Sequence, residues 1–238
     1  MKAIVLTGST GGLGQSLVEV LVNEKDSELI CLYRNKPKFE EVFLNKGKQI
    51  KGYFIKEKDD FSSLEELIDS KKFESVVLIL NAFSIVPIKR VGEFSPEEIV
   101  DFVYGNVTSN ILLLNKFVKH CKQYCQNLRI INLDSGAADF PLTGWSNYCA
   151  GKAYMNSFIS VVLAENPEFQ IVSFDPGVMN TDMQAEIRAV TKNVFDQVET
   201  FVGYKNDNKL HEPLEVAKQI KERYISQWTA KCLREKII

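Results

Sequence analysis

The stretch Lys2-Ala3-Ile4-Val5-Leu6-Thr7-Gly8-Ser9-Thr10-Gly11-Gly12-Leu13-Gly14 decides how this chain is built. Residues 3–6 form a short, continuous apolar run, as in a strand buried on both faces of a parallel sheet. The run passes straight into a glycine-rich turn, and residues 13–23 then carry a helical pattern. Glycines let the backbone turn tightly and approach a pyrophosphate closely. The helix N-terminus behind them supplies N–H donors and a favourable dipole. Glycines also mark ordinary turns, so it is the strand-to-helix position that points to a dinucleotide. Two spacings fit, Gly8/Gly12/Gly14 and Gly8/Gly11/Gly14, and the residues alone do not choose between them.

The same alternation continues outward. Apolar runs recur at residues 29–33, 53–55, 76–80, 128–133 and 171–174. Amphipathic helical patterns fill residues 62–71, 97–123, 147–164 and 213–227. Ser62 and Glu65 have capping-box spacing, and Ser95-Pro96-Glu97-Glu98 reads as a cap, a first-turn proline and acids favoured by the helix dipole. Residues 181–210 are less regular, with a turn or mobile loop at Lys205-Asn206-Asp207-Asn208-Lys209. This pattern predicts an α/β chain folded as a single Rossmann-type domain over residues 1–238, a doubly wound parallel sheet with helices on both faces. Right-handed crossovers put the carboxyl ends of the strands at one edge, where ligands bind.

Composition narrows the class. The 238 residues are 45% hydrophobic and 25% charged with a net charge of -2, so no general basic field recruits nucleic acid. Cys31, Cys121, Cys125, Cys149 and Cys232 are odd in number and scattered. With only His120 and His211 beside them, they read as buried small groups in a reducing compartment, without disulfides or metal. Residues 1–6 are too short for the apolar core of a signal peptide, and no stretch reaches bilayer length. The expectation is a cytoplasmic protein without a membrane partner.

The second strand ends Leu32-Tyr33-Arg34-Asn35-Lys36, and no acid follows until Glu40. An acid near this position binds the ribose 2′-hydroxyl of NAD, whereas an arginine suits the 2′-phosphate of NADP, so Arg34 points to NADP(H). Tyr148-Cys149-Ala150-Gly151-Lys152 places a phenol and an ammonium at i,i+4 on a predicted helix. A tyrosine's ordinary pKa of ~10 is lowered by a nearby cation, and such a phenol can protonate a carbonyl oxygen as hydride arrives at carbon. Taken alone, the pair also fits an amphipathic helix with a half-buried tyrosine and a solvated lysine. Ser135, just past the strand ending at Leu133, adds a hydroxyl for the substrate oxygen, though alone it reads as a turn serine.

Together the glycine turn, Asn81-Ala82, Asn106, Ser135, Tyr148, Lys152 and Pro176-Gly177 resemble a classical short-chain dehydrogenase/reductase along nearly the whole chain. In that family Gly8/Gly12/Gly14 is the classical spacing and Gly8/Gly11/Gly14 that of the extended branch, whose longer chains carry a substrate domain. The resemblance implies Tyr148 as general acid, Ser135 orienting the carbonyl, and Lys152 binding the nicotinamide ribose and lowering the Tyr148 pKa. Asn106 would hold a relay water. Gly8, Ser9, Thr10, Gly12, Leu13 and Gly14 would surround the phosphates, and Asp60 and Phe61 would border the adenine. Asn81, Ala82, Pro176, Gly177, Val178 and Thr181 would complete the cofactor site. Asp134-Ser135-Gly136-Ala137-Ala138, Gly144-Trp145-Ser146-Asn147-Tyr148-Cys149 and residues 176–184 are similar to sepiapterin reductases and benzil reductases. That likeness implies NADPH-dependent reduction of one carbonyl of a vicinal dicarbonyl. Trp145 and Met179 fit the apolar lining of a substrate pocket, and equally fit ordinary packing. The likeness also implies a homodimer or homotetramer paired through residues 97–123 and 147–164.

The chain departs from the family pattern at three places. Phe83 follows Asn81-Ala82 where a glycine is usual, Asp134 stands where a second serine is frequent, and residues 232–238 offer no acidic pterin anchor. The last favours a simple dicarbonyl over a pterin. Two other readings compete: a non-catalytic dinucleotide sensor or scaffold, and an NADP-dependent alcohol dehydrogenase working oxidatively. A sensor need not keep Ser135, Tyr148 and Lys152 together, which disfavours it.

Overall fold

The computed structural model describes residues 1–43, 51–54, 64–69, 71–124 and 126–237. The described strands are β1 (Lys2–Thr7), β2 (Ser27–Tyr33), β3 (Lys51–Phe54), β4 (Ser75–Leu80), β5 (Asn127–Leu133), β6 (Gln170–Asp175) and β7 (Arg234–Lys236). The helices are α1 (Gly12–Leu21), α2 (Lys36–Val42), α3 (Leu64–Leu67), α4 (Pro96–Val103), α5 (Ser109–Tyr124), α6 (Ser146–Glu165), α7 (Asp182–Ala189), α8 (Val198–Asn206) and α9 (Pro213–Ile220).

All the strand pairs are parallel, in the order β3-β2-β1-β4-β5-β6-β7. The two-residue period of a strand explains why the apolar runs are continuous. Ala3, Val5, Val76, Leu78, Leu128 and Ile130 face one core, built with α5 and α6. Ile4, Leu6, Val77, Ile79, Ile131 and Val172 face the other, built with α1 and α9. A third apolar cluster, including Ile85, Phe102, Trp145, Ile187, Phe195 and Phe201, gathers α4, α6, α7 and α8.

Local signals account for several boundaries. At α4, the Ser95 hydroxyl accepts from the Glu98 N–H at 3.2 Å and the Glu98 carboxylate accepts from the Ser95 N–H at 2.9 Å, a complete capping box. The helix predicted over 97–123 runs on from α4 to α5 through one π-helical turn, Tyr104–Thr108, which carries Asn106. Such turns insert a residue and are frequent at functional sites.

Four described elements, α2, α7, α8 and β7, depart from the predicted pattern. Helix α2 is announced by Asn35 and Pro37, and the Asn35 side chain caps it by accepting from the Lys38 N–H at 2.9 Å. The region 181–210 holds α7 and α8, short helices that bury Gln184, Ile187, Val198 and Phe201 rather than a long apolar stripe. The loop expected at 205–209 reduces to the end of α8 and a turn, with Asn208 at φ +54°. Strand β7 is charged along its length and so lacks the apolar signature of the others. Ser62, Cys125, Ile55 and residues 70 and 44–50 lie outside the described residues.

Candidate active site

The carboxyl ends of β1, β4, β5 and β6 open into one cleft of about 1120 Å³. Gly8, Thr10, Gly12, Leu13, Arg34, Asn81 and Ala82 line one half of it. Asn106, Ser135, Trp145, Tyr148, Lys152, Pro176, Gly177, Val178, Met179 and Thr181 line the other. Nearly all the predicted site residues therefore converge, although they come from separate parts of the chain.

The glycine turn resolves which spacing matters. Gly8 and Gly12 have φ of +67° and +43°, in the left-handed region that favours glycine. A Cβ on Gly14 would lie 1.9 Å from the Gly8 carbonyl oxygen, and one on Gly12 would lie 3.1 Å from Thr181 Cγ2. A Cβ on Gly11 would meet nothing within 4 Å. The constrained set is Gly8, Gly12 and Gly14. The turn is held by neutral groups: the Thr7 hydroxyl accepts from the N–H groups of Asn81 and Ala82 at 3.0 and 2.9 Å. The Asn81 amide donates to the carbonyls of Thr7 and Gly8 at 3.2 and 3.0 Å. Asn81 thus braces the turn, and its amide nitrogen is engaged there.

Ser9 departs from its expected place around the phosphates. Its side chain is fully buried beside Cys31 rather than directed at the cleft. Gly14 likewise serves the turn from behind, by letting α1 pack on Gly8. Asp60 and Phe61 lie outside the described residues. Near Arg34, Lys36 pairs with Glu40 at 3.9 Å, while Lys38 lines the cleft. The α2 cap explains this: a helix starting at Lys36 brings Lys38 into its first turn, on the Arg34 side. Asn35 followed by Pro37 is the signal that could have placed it.

On the other half, α6 buries a stripe of Tyr148, Gly151, Lys152, Met155, Ile159 and Val162. Tyr148 and Lys152 head this stripe, so the lysine is not solvated: it is 5% exposed and Tyr148 7%. Lys152 Nζ donates to the Leu133 carbonyl at 2.6 Å and sits 4.1 Å from the centre of the Phe83 ring. Burial lowers its pKa to about 8, against the upward pull of the Asp134 and Asp175 carboxylates. The Ser135 side chain sits near enough to the Tyr148 hydroxyl to oppose the rise in its pKa, and its Oγ accepts from the Ala137 N–H at 3.2 Å.

The Tyr148 pKa does not follow the sequence expectation. Burial pushes it up to about 12, with Asp134, Asp175 and Cys149 adding to the rise and the Ser135 side chain opposing it. The ammonium that was to pull it down donates to the Leu133 carbonyl and lies nearer the Phe83 ring than the Tyr148 ring, 4.1 Å against 5.8 Å from their centres. The resulting phenol holds its proton firmly.

Asn106 is buried in the π-helical turn. Its Oδ1 accepts from the Ser84 N–H at 2.6 Å, and its carbonyl accepts from Asn110 Nδ2 at 2.6 Å. Phe83 turns away from the glycine turn toward α6, with its ring edge-on to Tyr148 at 5.5 Å and 87°. The replaced glycine therefore puts an aromatic face beneath Lys152. Trp145 stacks on Phe195 at 4.7 Å and meets Tyr148 and Phe201 edge-on. Met179 reaches the cleft and also packs on the α1–α9 core. Phe201 and Ile187 join the aromatic wall from the region that read as irregular.

The cradle fits a dinucleotide: two left-handed glycines, a third that admits no Cβ, and a helix N-terminus behind them. No helix among the described residues is long and apolar enough to cross a membrane.

The family model for short chain dehydrogenase matches residues 2–192. A benzil reductase ((S)-benzoin forming) of Bacillus cereus is 32% identical over 93% of this chain and 93% of its own. Sepiapterin reductase of Bos taurus is 28% identical over 76% of this chain and 73% of its own. A solved short-chain dehydrogenase/reductase of Saccharomyces cerevisiae superposes with a TM-score of 0.84 at 22% identity, over 99% of this chain and 96% of that one, and so shares its fold. The chain belongs to the short-chain dehydrogenase/reductase family, whose members use nicotinamide dinucleotides, and it is an oxidoreductase acting on CH–OH and C=O groups.

Proposed function

We propose that the protein reduces one ketone of a vicinal dicarbonyl, benzil-like or sepiapterin-like, to a secondary alcohol with NADPH. The observation that carries this reading is the Tyr148–Ser135 hydroxyl pair beside the aromatic wall of Trp145 and Phe201. Bound NADPH supplies the hydride. Ser135 orients the carbonyl oxygen by hydrogen bonding, and Tyr148 donates its proton there. A phenol with a pKa raised to about 12 is protonated throughout the neutral range, as a general acid must be. Lys152 holds the nicotinamide ribose hydroxyls and, while charged, stabilises the phenolate that proton donation leaves. The Asn106 carbonyl keeps a second lone pair for the water that returns the proton.

Gly8, Thr10, Gly12 and Leu13 surround the pyrophosphate in this reading. Ala82, Pro176, Gly177, Val178 and Thr181 border the nicotinamide half, and Trp145 and Met179 contact the substrate. Arg34 and Lys38 take the 2′-phosphate, which supports NADPH over NADH. The named relatives, benzil reductase and sepiapterin reductase, support a dicarbonyl. A homodimer or homotetramer in the cytoplasm completes the proposal. Exposed apolar side chains on α4, α5 and α6, among them Val100, Leu112, Tyr154 and Val161, support the pairing.

The test is NADPH consumption with benzil, compared with NADH and with Tyr148→Phe. Turnover with NADPH that Tyr148→Phe lowers by about 10³-fold is the expected result. Tight NADPH binding without turnover across a broad carbonyl panel would overturn the reading in favour of a sensor.

A further inference from the structure

The last strand is short and wholly charged, and the alternation of a strand sends its charges to opposite faces. On one face Glu235 is held by Arg223, by the Tyr224 hydroxyl at 2.6 Å and by the Lys231 N–H at 2.6 Å. On the other, Arg234 reaches the loop that carries Ser135. Its Nε and Nη2 lie 3.0 and 2.9 Å from Asp134 Oδ2, while Nη1 and Nη2 fork onto Asp139 at 2.8 Å each. Asn156 Nδ2 donates to the remaining Asp134 oxygen at 2.8 Å. Lys236 Nζ lies 3.6 Å from Asp175 Oδ2. The main chain registers these contacts, because Ser173 pairs with Arg234 and Asp175 with Lys236 across β6 and β7.

Asp134 immediately precedes Ser135, and its side chain is 2% exposed. A buried carboxylate left without a counter-charge is strongly unfavourable. The two acids at the ends of β5 and β6 are therefore matched by two cations on β7, a chain segment distant in sequence.

We propose that Arg234 is a positioning residue of the active site: by holding and neutralising Asp134 it sets the charge that Ser135, Tyr148 and Lys152 meet, while Lys236 does the same more weakly at Asp175. The C-terminal strand is then part of the catalytic apparatus and more than a sheet edge. Among the described residues, the groups that bear on the Tyr148–Lys152 pair are Asp134 and Ser135 after β5, Asp175 at the end of β6 and Cys149 on α6. Behind them stand Arg234 and Lys236 on β7, and Asp139 on the far side of Arg234. Asp134 and Asp175 both favour the charged lysine and the neutral phenol. Removing Arg234 exposes Lys152 to the full charge of Asp134, which raises the lysine's titration midpoint. Neutralising Asp134 lowers it.

The activity arm of the test rests on the reductase reading, but the titration arm does not. In full-length protein labelled with ¹³C at the lysine ε-carbons, the Lys152 resonance is assigned by its loss in Lys152→Met and titrated by NMR. Arg234→Met should move the midpoint up by about one pH unit and Asp134→Asn should move it down by a similar amount. In an Asp134→Asn background, Arg234→Met should have less than half its single effect, because Arg234 acts through Asp134. Arg234→Lys keeps a cation beside Asp134 and should hold the midpoint near that of the unaltered protein. The Lys152-linked limb of kcat for benzil and NADPH should follow these shifts. Midpoints unmoved in both Arg234→Met and Asp134→Asn would overturn the proposal and leave β7 as a mechanical clamp. If Arg234→Met fails to fold, Arg234→Gln, which removes the charge and keeps a polar side chain beside Asp134, takes its place under the same criterion. Midpoints that shift in a protein inert toward benzil would sink the substrate reading while sustaining this one.

Discussion

On the β1 side of the cleft, position is set by neutral contacts at fixed distances: the Thr7 hydroxyl, the Asn81 amide and three glycines packed without room for a Cβ or held at positive φ. On the β5–β6 side, position is set by buried charges and aromatic faces: Lys152 between Leu133 and Phe83, and Asp134 clamped by Arg234. The first arrangement depends on sterics, which fail abruptly and are indifferent to pH. The second depends on protonation and compensation, which respond gradually and with a definite sign.

The largest effect should come from breaking the steric side. Gly14→Ala would place a Cβ 1.9 Å from the Gly8 carbonyl oxygen, a backbone contact that nothing flexible can relieve. Unfolding should show a loss of about 3 kcal/mol, and NADPH binding followed by fluorescence should disappear. Gly11→Ala is the control. Its Cβ meets nothing within 4 Å, and the residue is already extended at φ −143°. Its stability should stay within about 0.5 kcal/mol. Equal damage from both substitutions would mean that the turn is not the steric device described.

The charged side should answer in the opposite direction. The Lys152 pKa is lowered from 10.5 to about 8, so between those values the unfolded chain binds a proton that the folded chain has released. Stability therefore rises with pH across that window. The Tyr148 pKa is raised from 10.0 to about 12, so above pH 10 the folded chain keeps a proton that the unfolded chain has lost, and stability falls. Lys152→Met should abolish the rise between pH 8 and 10 while leaving the fall above it. Below pH 8 it should stabilise the fold by about 1–2 kcal/mol, since a buried ammonium is replaced by an apolar chain of similar length. Turnover should vanish in the same variant. Melting temperatures across this pH range check the sign, and a Lys152→Met protein less stable at pH 7 would contradict it.

The contrast also explains what was legible in the sequence. Continuous apolar runs reveal strands buried on both faces, so β1, β2, β4, β5 and β6 could be read directly. The stripe that buries Tyr148 and Lys152 is local to α6, which is why their spacing carried information. Strand β7 has no hydrophobic pattern, and its meaning lies in partners about 100 residues away. Asp134 was visible as a departure, but its compensation by Arg234 exists only once the sheet has formed. The direction of the Tyr148 pKa shift was missed for a similar reason. Helical spacing places a lysine near a tyrosine without saying where the ammonium points or how much water remains.

The cofactor rim mixes the two kinds of contact. If Arg34 takes the 2′-phosphate as proposed, Arg34→Ala should raise the KM for NADPH by about tenfold and leave that for NADH unchanged. Lys38→Ala should do the same more weakly, as a point charge without a planar fork. A variant that weakens both cofactors equally would place Arg34 outside the 2′-phosphate site.

The smallest predicted effect tests a contact in which a neutral ring tunes a charge. The Phe83 ring face lies 4.1 Å from Lys152 Nζ, close enough for the ring quadrupole to favour the charged lysine. Phe83→Leu keeps most of the volume against Phe102 and Tyr148 but removes that face. Stability should change by less than about 1.5 kcal/mol. The Lys152 midpoint should fall below about 8, and turnover near that pH should drop by about threefold, recovering in more acid solution. The KM for NADPH should hold, because Phe83 points toward α6 rather than the glycine turn. A rise in that KM with an unmoved midpoint would assign Phe83 to the steric half of the cleft. The aromatic ring would then be a spacer where the family has a glycine, and the charge of Lys152 would be governed by the carboxylates alone.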